Sequence, residues 1–169
     1  MEFVKAREIL KVIQKLNPES NKTILEALKI AQHIEEMSKE LYKNETIRTK
    51  GTELEKFFVF LVKEEEMHLA KILELQKNIN KKELKKISFS KNIAPEIHSI
   101  PIGQNEMTSI LYSLWREKKA VEFYSSAAEK TKGKVKVFFK ELADFEKRHV
   151  ALFEALVEGT QNVRELIMG

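Results

Sequence analysis

The sequence contains no cysteine, which excludes disulfides, iron-sulfur clusters and cysteine-ligated zinc; any bound metal must be held by nitrogen and oxygen donors. Five glycines and three prolines leave little material for the turns of an all-β architecture. No run approaches the ~18 consecutive apolar residues of a membrane span, and Met1-Glu2-Phe3-Val4 does not open a signal peptide. A cytoplasmic protein without membrane association is therefore expected. What the chain does have is Lys, Glu, Leu, Ala and Ile, the residues of long helices. Its 169 residues, 43% of them apolar, suffice for one domain with a sizeable core, and an all-α fold is expected.

The formal charge of +4 is concentrated in one place. Lys77 to Lys91 contains six lysines and one glutamate, net +5, so the remainder sums to 4 − 5 = −1. This distribution argues against a general basic surface and against nucleic acid as a partner. It leaves two readings of the local excess: a solvated helix end and loop, or a docking patch for an acidic partner.

Apolar periodicity predicts an N-terminal amphipathic helix over residues 1 to 16, with Phe3, Ala6, Leu10 and Ile13 on one stripe, flanked by Ile9, Val12 and Leu16 and stopped near Asn17-Pro18. Its apolar face needs either the main body or a second subunit. A helix from about Ser20 to Thr49 and another from about Thr52 to Asn80 form a hairpin broken at Gly51; a second hairpin joins about Asn105 to Lys130 and Val135 to Glu158, stopped by Gly159. Between the hairpins the periodicity fades around Pro95, Pro101 and Gly103, and a crossover along a helix bundle would give this long segment a purpose. The expected organisation is an N-terminal helix (1–20), a bundle (21–160, with hairpins 21–80 and 104–159 and crossover 81–103) and a tail (161–169).

Two short motifs organise the bundle. Glu65-Glu66-Met67-His68 reads E-x-x-H within the apolar frame of Phe58, Leu61, Ile72 and Leu75, and Glu146-Lys147-Arg148-His149 repeats it within Val135, Phe138, Leu142, Phe153 and Leu156. The other helix of each hairpin carries an inward glutamate: Glu35 on the face of Ile24, Leu28, Ala31, Ser38 and Tyr42, and Glu117 on that of Ile110, Leu114, Ala120, Tyr124 and Ala127. The hairpins superpose as an internal repeat, since Glu35 to Glu117 and Tyr42 to Tyr124 are offset by 82 residues, and Glu65 to Glu146 and His68 to His149 by 81. Each glutamate lies near mid-helix, about 20 Å from the nearest bundle end at about 1.5 Å per residue, so the set should converge.

Four buried carboxylates would repel one another, and each would cost several kcal/mol in desolvation without compensating charge. Two divalent cations supply +4 against −4, and with His68 and His149 as nitrogen donors the set suits iron or manganese. Glu36, Glu64, Glu66, Glu122, Glu141 and Glu154 fall off the inward stripe and are expected in solvent. His33 and Trp115 point away from the glutamates of their helices, and His98 lies in the crossover, so none of the three is expected at the site. Tyr42 and Tyr124 are either core residues with satisfied hydroxyls or groups of the site.

A glutamate on each of two helices and E-x-x-H on each of the other two resembles the ferritin-like di-iron carboxylate superfamily, whose antiparallel four-helix bundle has one long crossover between its second and third helices. The sequence is most similar to the di-iron domain of rubrerythrin. EKKAVEFY (Glu117 to Tyr124) with FEKRH (Phe145 to His149) looks like that family's third and fourth helices, and EEMSKELY (Glu35 to Tyr42) with EEEMH (Glu64 to His68) like its first two, across about residues 22 to 157. The resemblance implies two iron ions, with manganese or mixed metals as variants. It makes Glu65 and Glu146 bridging ligands, Glu35 and Glu117 terminal ligands, His68 and His149 one ligand to each ion, and Tyr42 and Tyr124 supporting groups behind them.

Two departures matter. Rubrerythrin has a further glutamate three residues after its third-helix ligand, and here that position is Ala120, so the ligand exchange associated with its peroxidase activity lacks its residue. The family's cysteine-ligated rubredoxin domain is impossible without cysteine, so electrons would come from a separate protein such as rubredoxin or ferredoxin. The resemblance thus implies an oxidoreductase reducing hydrogen peroxide or dioxygen, with a homodimer expected. A ferroxidase or iron-handling protein and a non-catalytic metal-binding bundle are the alternatives.

Overall fold

The computed structural model describes residues 6–82, 87, 89 and 103–168, which form five helices with no strand among the described residues. They are α1 (Ala6–Lys15), α2 (Asn21–Arg48), α3 (Glu53–Asn80), α4 (Gln104–Lys130) and α5 (Gly133–Met168). Phe3, Lys85, Lys86, Lys91, Pro95, His98 and Pro101, which entered the sequence expectations, lie outside the described residues.

Two apolar clusters fix the direction of every bundle helix. The first joins Ile24, Ala27 and Leu28 at the start of α2, Leu75 and Ile79 at the end of α3, Ala127 and Ala128 at the end of α4, and Val135, Phe138 and Phe139 at the start of α5. The second joins Tyr42 from the far part of α2, Leu54, Phe57 and Phe58 from the start of α3, Ile110 from the start of α4, and Phe153 and Leu156 from α5. Thus α2 and α5 run away from the first cluster, whereas α3 and α4 both run toward it. The α3–α4 connection accordingly leaves from one end of the bundle and arrives at the other, the long crossover expected from sequence. Ile87 and Phe89 from this connection pack in and against the first cluster. Each fully buried leucine or phenylalanine contributes about 1.5–3 kcal/mol, so these two clusters hold the polar layer between them in place.

The repeat extends to the turns. Thr49 and Thr131, 82 residues apart, end α2 and α4 and donate their hydroxyls to the carbonyls four residues back, Glu45 at 2.8 Å and Ala127 at 2.7 Å. Gly51 and Gly133, also 82 apart, follow at φ +83° and +55°, the left-handed conformation that glycine adopts without a Cβ penalty.

Two expectations need correction. In α1 it is Ile9, Val12 and Ile13 that pack against the first cluster and Leu16 that enters it, while Leu10 is 59% exposed, so the inward stripe is turned from the one read around Leu10. The partner of this helix is the main body, through α2 and α4. And α5 does not stop at Gly159 but continues to Met168. Gly159 is absent from the positive-φ positions, and a helical glycine without a left-handed turn is a cost of about 1 kcal/mol rather than a stop.

Candidate metal centre

Between the two apolar clusters lies a layer of charge. Glu35 sits between Ala31 and Tyr42 on α2, Glu65 and His68 between Leu61 and Ile72 on α3, Glu117 between Ile110 and Ala120 on α4, and Glu146 and His149 between Ala143 and Phe153 on α5. All six are buried. They form two groups, Glu35, Glu65, His68 and Glu146 on one side and Glu65, Glu117, Glu146 and His149 on the other, and in each group one donor atom per residue lies within 4.8 Å of the rest. Glu65 and Glu146 belong to both.

Both imidazoles present Nδ1 to the carboxylates. His68 Nδ1 lies 3.2 Å from Glu35 Oε2, 3.1 Å from Glu146 Oε1 and 3.6 Å from Glu65 Oε2. His149 Nδ1 lies 3.0 Å from Glu146 Oε2, 3.4 Å from Glu65 Oε1 and 3.7 Å from Glu117 Oε2. The tyrosines join the hairpins crosswise: Tyr42 on α2 donates its hydroxyl to Glu117 Oε1 on α4, and Tyr124 on α4 donates to Glu35 Oε1 on α2. One oxygen of each outer glutamate is thereby anchored while Oε2 faces the nearby histidine. The rings of both tyrosines thus belong to the apolar clusters, and their hydroxyls reach into the polar layer.

The electrostatics reflect crowding. Burial, followed by the Glu65 and Glu146 charges, pushes the Glu35 carboxyl well above the usual range; burial and then the Glu146 charge do the same to Glu117. His68 and His149 are held well above their ordinary values even though burial, the largest single influence, pulls them down, because the surrounding carboxylates led by Glu146 outweigh it. Glu146 sits well below the carboxylate range: burial raises it, but His149 and then His68 overcome that. Burial and the Glu35 charge raise Tyr124, which keeps its hydroxyl protonated and donating.

Sequence reasoning missed two residues here. Glu64, expected in solvent, is fully buried on α3, with Arg148 Nη2 3.5 Å and His149 Nε2 3.8 Å from its Oε2. α3 buries a flank against α5 as well as its central stripe, so a position one residue from Glu65 is covered. The signal was available: with the 81-residue offset the mate of Glu64 is Phe145, an inward aromatic. Arg116 is also buried and donates to the carbonyls of Met37 (3.2 Å) and Ile34 (3.4 Å) and to Ser38 Oγ (3.2 Å) on α2. Its mate, 82 residues earlier, is the apolar Ile34. Of the other residues expected in solvent or away from the site, Glu36, Glu66 and Glu122 are exposed, Trp115 is 45% exposed and His33 belongs to neither group, whereas Glu154 is only partly exposed and Glu141 has its Oε2 buried.

The donor set fits metal ions. Glu65 Oε1, Glu146 Oε1 and both outer imidazole nitrogens are buried without a hydrogen-bond partner, and buried polar atoms are rarely left so. Bound cations would take up the carboxylate lone pairs and relieve the repulsion that raises Glu35 and Glu117. Carboxylate oxygen with imidazole nitrogen suits iron or manganese.

Two glutamate helices and two E-x-x-H helices around a buried centre, with one long crossover between parallel α3 and α4, define a metal-binding protein of the ferritin-like helical-bundle class. Within that class a family model, Rubrerythrin, matches residues 26–161. The chain belongs to the rubrerythrin family. No curated protein and no solved structure gives a significant match. Among the described residues no helix is long and apolar enough to cross a membrane.

Proposed function

We propose that the chain is a di-iron oxidoreductase that reduces hydrogen peroxide or dioxygen with electrons from a separate donor protein. The observation that carries this reading is the sharing of Glu65 and Glu146 between two otherwise separate ligand groups. Glu35, Glu65, His68 and Glu146 would hold one ion and Glu65, Glu117, Glu146 and His149 the other. When bound, iron supplies the one-electron steps that the side chains cannot; peroxide reduction to two waters takes up two electrons and two protons. The chain does the rest. The phenylalanines of the second cluster close the centre against bulk water on one side, and the Tyr42 and Tyr124 hydroxyls hold protons at Glu117 Oε1 and Glu35 Oε1. Ala120, buried one turn beyond Glu117, offers no carboxylate to exchange with it, so that exchange is closed to this chain.

Electrons would enter at the bundle end that carries the first apolar cluster. Lys77 in the last turn of α3, Lys81 and Lys82 after it, and Lys130, Lys132, Lys134 and Lys136 around the α4–α5 turn are exposed there, which suits an acidic carrier protein whose association slows with added salt.

The test is metal content and the optical spectrum of protein from iron-replete cells, followed by peroxide or dioxygen added to the ferrous form under anaerobic control. About two irons per chain, each oxidised within the mixing time by one of the two oxidants, is the expected result. Iron that binds but does not change oxidation state, or no iron at all, would overturn the proposal.

A further inference from the structure

The two ligand groups share a frame but differ behind the imidazoles. The repeat that pairs His68 with His149 also pairs Phe145 with Glu64, so an aromatic ring at one place is replaced by a carboxylate at the other. His68 packs edge-on against Phe145, with centroids 5.0 Å apart, and against Phe89 at 6.2 Å. Its outer nitrogen, Nε2, is buried without a hydrogen-bond partner. His149 Nε2 makes no hydrogen bond either, but Glu64 Oε2 stands 3.8 Å behind it, a carboxylate where His68 has an aromatic ring.

Glu64 is fully buried, a costly place for a carboxylate unless its charge is used or paired. Arg148 answers it from the solvent side at 3.5 Å, with its guanidinium carbon also 4.1 Å above the Phe145 ring. The ion pair is thus oriented, with its negative end toward His149 and its positive end toward solvent. A carboxylate behind the outer N–H of an imidazole fixes the tautomer that leaves the inner nitrogen free, and makes that nitrogen a better metal donor. For His149 the inner nitrogen is Nδ1, the atom that faces Glu65, Glu117 and Glu146.

We propose that Glu64 is a positioning residue that makes His149 the stronger of the two imidazole donors, so that the His149 group takes up metal before the His68 group. The inference rests on the reading of the layer as a two-ion centre. The pseudo-twofold frame would by itself give two equal sites, and Glu64 breaks the equality.

The test is an anaerobic titration of metal-free, full-length protein with Co(II), followed by its visible absorption, and with Fe(II), followed by calorimetry. The wild type should bind in two steps whose dissociation constants differ by about tenfold or more. His149→Gln should remove the tighter step and His68→Gln the weaker, which assigns them. Glu64→Gln, which keeps the size and removes the charge, should weaken the step assigned to His149 by about 10- to 100-fold and leave the other unchanged. Arg148→Met, which removes the counter-charge at a partly exposed position, should tighten that same step, and this arm decides the matter if Glu64→Gln fails to fold. A purely structural role for Glu64 would shift both steps together. Equal shifts, no shift, a shift confined to the His68 step, or a wild type with two equal sites would overturn this inference alone. A wild type that takes up neither metal would overturn the metal reading with it.

Discussion

Tyr42 on α2 donates its hydroxyl to Glu117 on α4, reaching from one hairpin to a carboxylate of the other, and Tyr124 returns the same bond to Glu35. Each tyrosine therefore supports the ligand group of the opposite hairpin. Its own helix supplies the height, about two turns from its own glutamate, and the partner helix supplies the acceptor. The rings also form part of the packing: Tyr42 stacks on Phe58 at 6.0 Å and Tyr124 on Phe139 at 6.4 Å, so each hydroxyl is aimed by a fixed aromatic wall.

Removing one hydroxyl should therefore act locally and asymmetrically. Tyr42→Phe keeps the ring and strands Glu117 Oε1, which should cost about 1–3 kcal/mol of metal-free stability. It should also weaken metal binding about 10- to 100-fold in the His149 group alone. Tyr124→Phe should do the same to Glu35 and the His68 group. Denaturant titration and metal titration of the two variants check this; the same binding step weakened by both would contradict the crosswise pairing.

The protonation of the layer predicts how metal-free protein responds to pH. Glu35, Glu117, His68 and His149 all bind protons more tightly folded than unfolded. Their contribution to stability is present below their unfolded values and is lost as pH rises through the folded ones. Glu146 has the opposite sign: its contribution is present above the ordinary carboxylate value of 4.5 and is lost as pH falls through its depressed one. Tyr124, also raised, adds to the same side at alkaline pH, so five groups against one make metal-free protein less stable at alkaline than at mildly acidic pH. Metal must displace those protons, so its apparent affinity should rise with pH and binding should release protons. Melting temperatures of chelated protein across this range, and calorimetry in buffers of different ionisation enthalpy, measure both. A chelated protein that gains stability steadily toward alkaline pH would refute the assignment.

How far the sequence discloses this centre depends on geometry that one helix can or cannot express. Glu35, Glu65, Glu117 and Glu146 share faces with known core types at spacings of three and four, so their inward direction can be read helix by helix. The duplicate hairpin then shows which heights coincide. The partner of Tyr42 could not be read this way, because a hydroxyl two turns from Glu35 reaches across the bundle, and that distance depends on how the hairpins are set against each other. Glu64 and Arg116 were hidden for a related reason. Each lies on the flank of an inward stripe, buried by a neighbouring helix, and each is a charged residue where its repeat mate, Phe145 or Ile34, is apolar. Comparing the two halves position by position would have exposed both.

The glycines separate a stop from an interruption. Gly51 and Gly133 have positive φ, and a Cβ at either would meet no atom within 4 Å, so alanine there suffers only the backbone penalty, about 1–2 kcal/mol. Gly159, also with open space around its Cβ position, lies inside continuing helix. Gly159→Ala should stabilise the protein by up to about 1 kcal/mol. Urea denaturation of the three variants should therefore give two losses and one gain; a loss at Gly159 would mean that the helix ends there after all.

Arg116 makes a sharper demand on side-chain chemistry. The two hairpins meet at α2 and α4 much less closely than the helices within either hairpin pack on each other. Across that seam the guanidinium of Arg116 reaches the carbonyls of Ile34 and Met37 and the hydroxyl of Ser38, which are a turn apart on α2. A planar fork can serve all three acceptors at once, whereas a lysine ammonium on a flexible stem would need to choose among them while remaining buried. Burial already lowers the affinity of Arg116 for its proton, so a charge held there with fewer bonds is poorly compensated. Arg116→Lys, conservative in charge, should cost about 1.5–3 kcal/mol. It should also raise amide exchange at residues 34 to 38 of α2 more than on the far side of the same helix. Stability within about 0.5 kcal/mol of wild type would show that the positive charge alone holds the seam, since that is all the lysine retains.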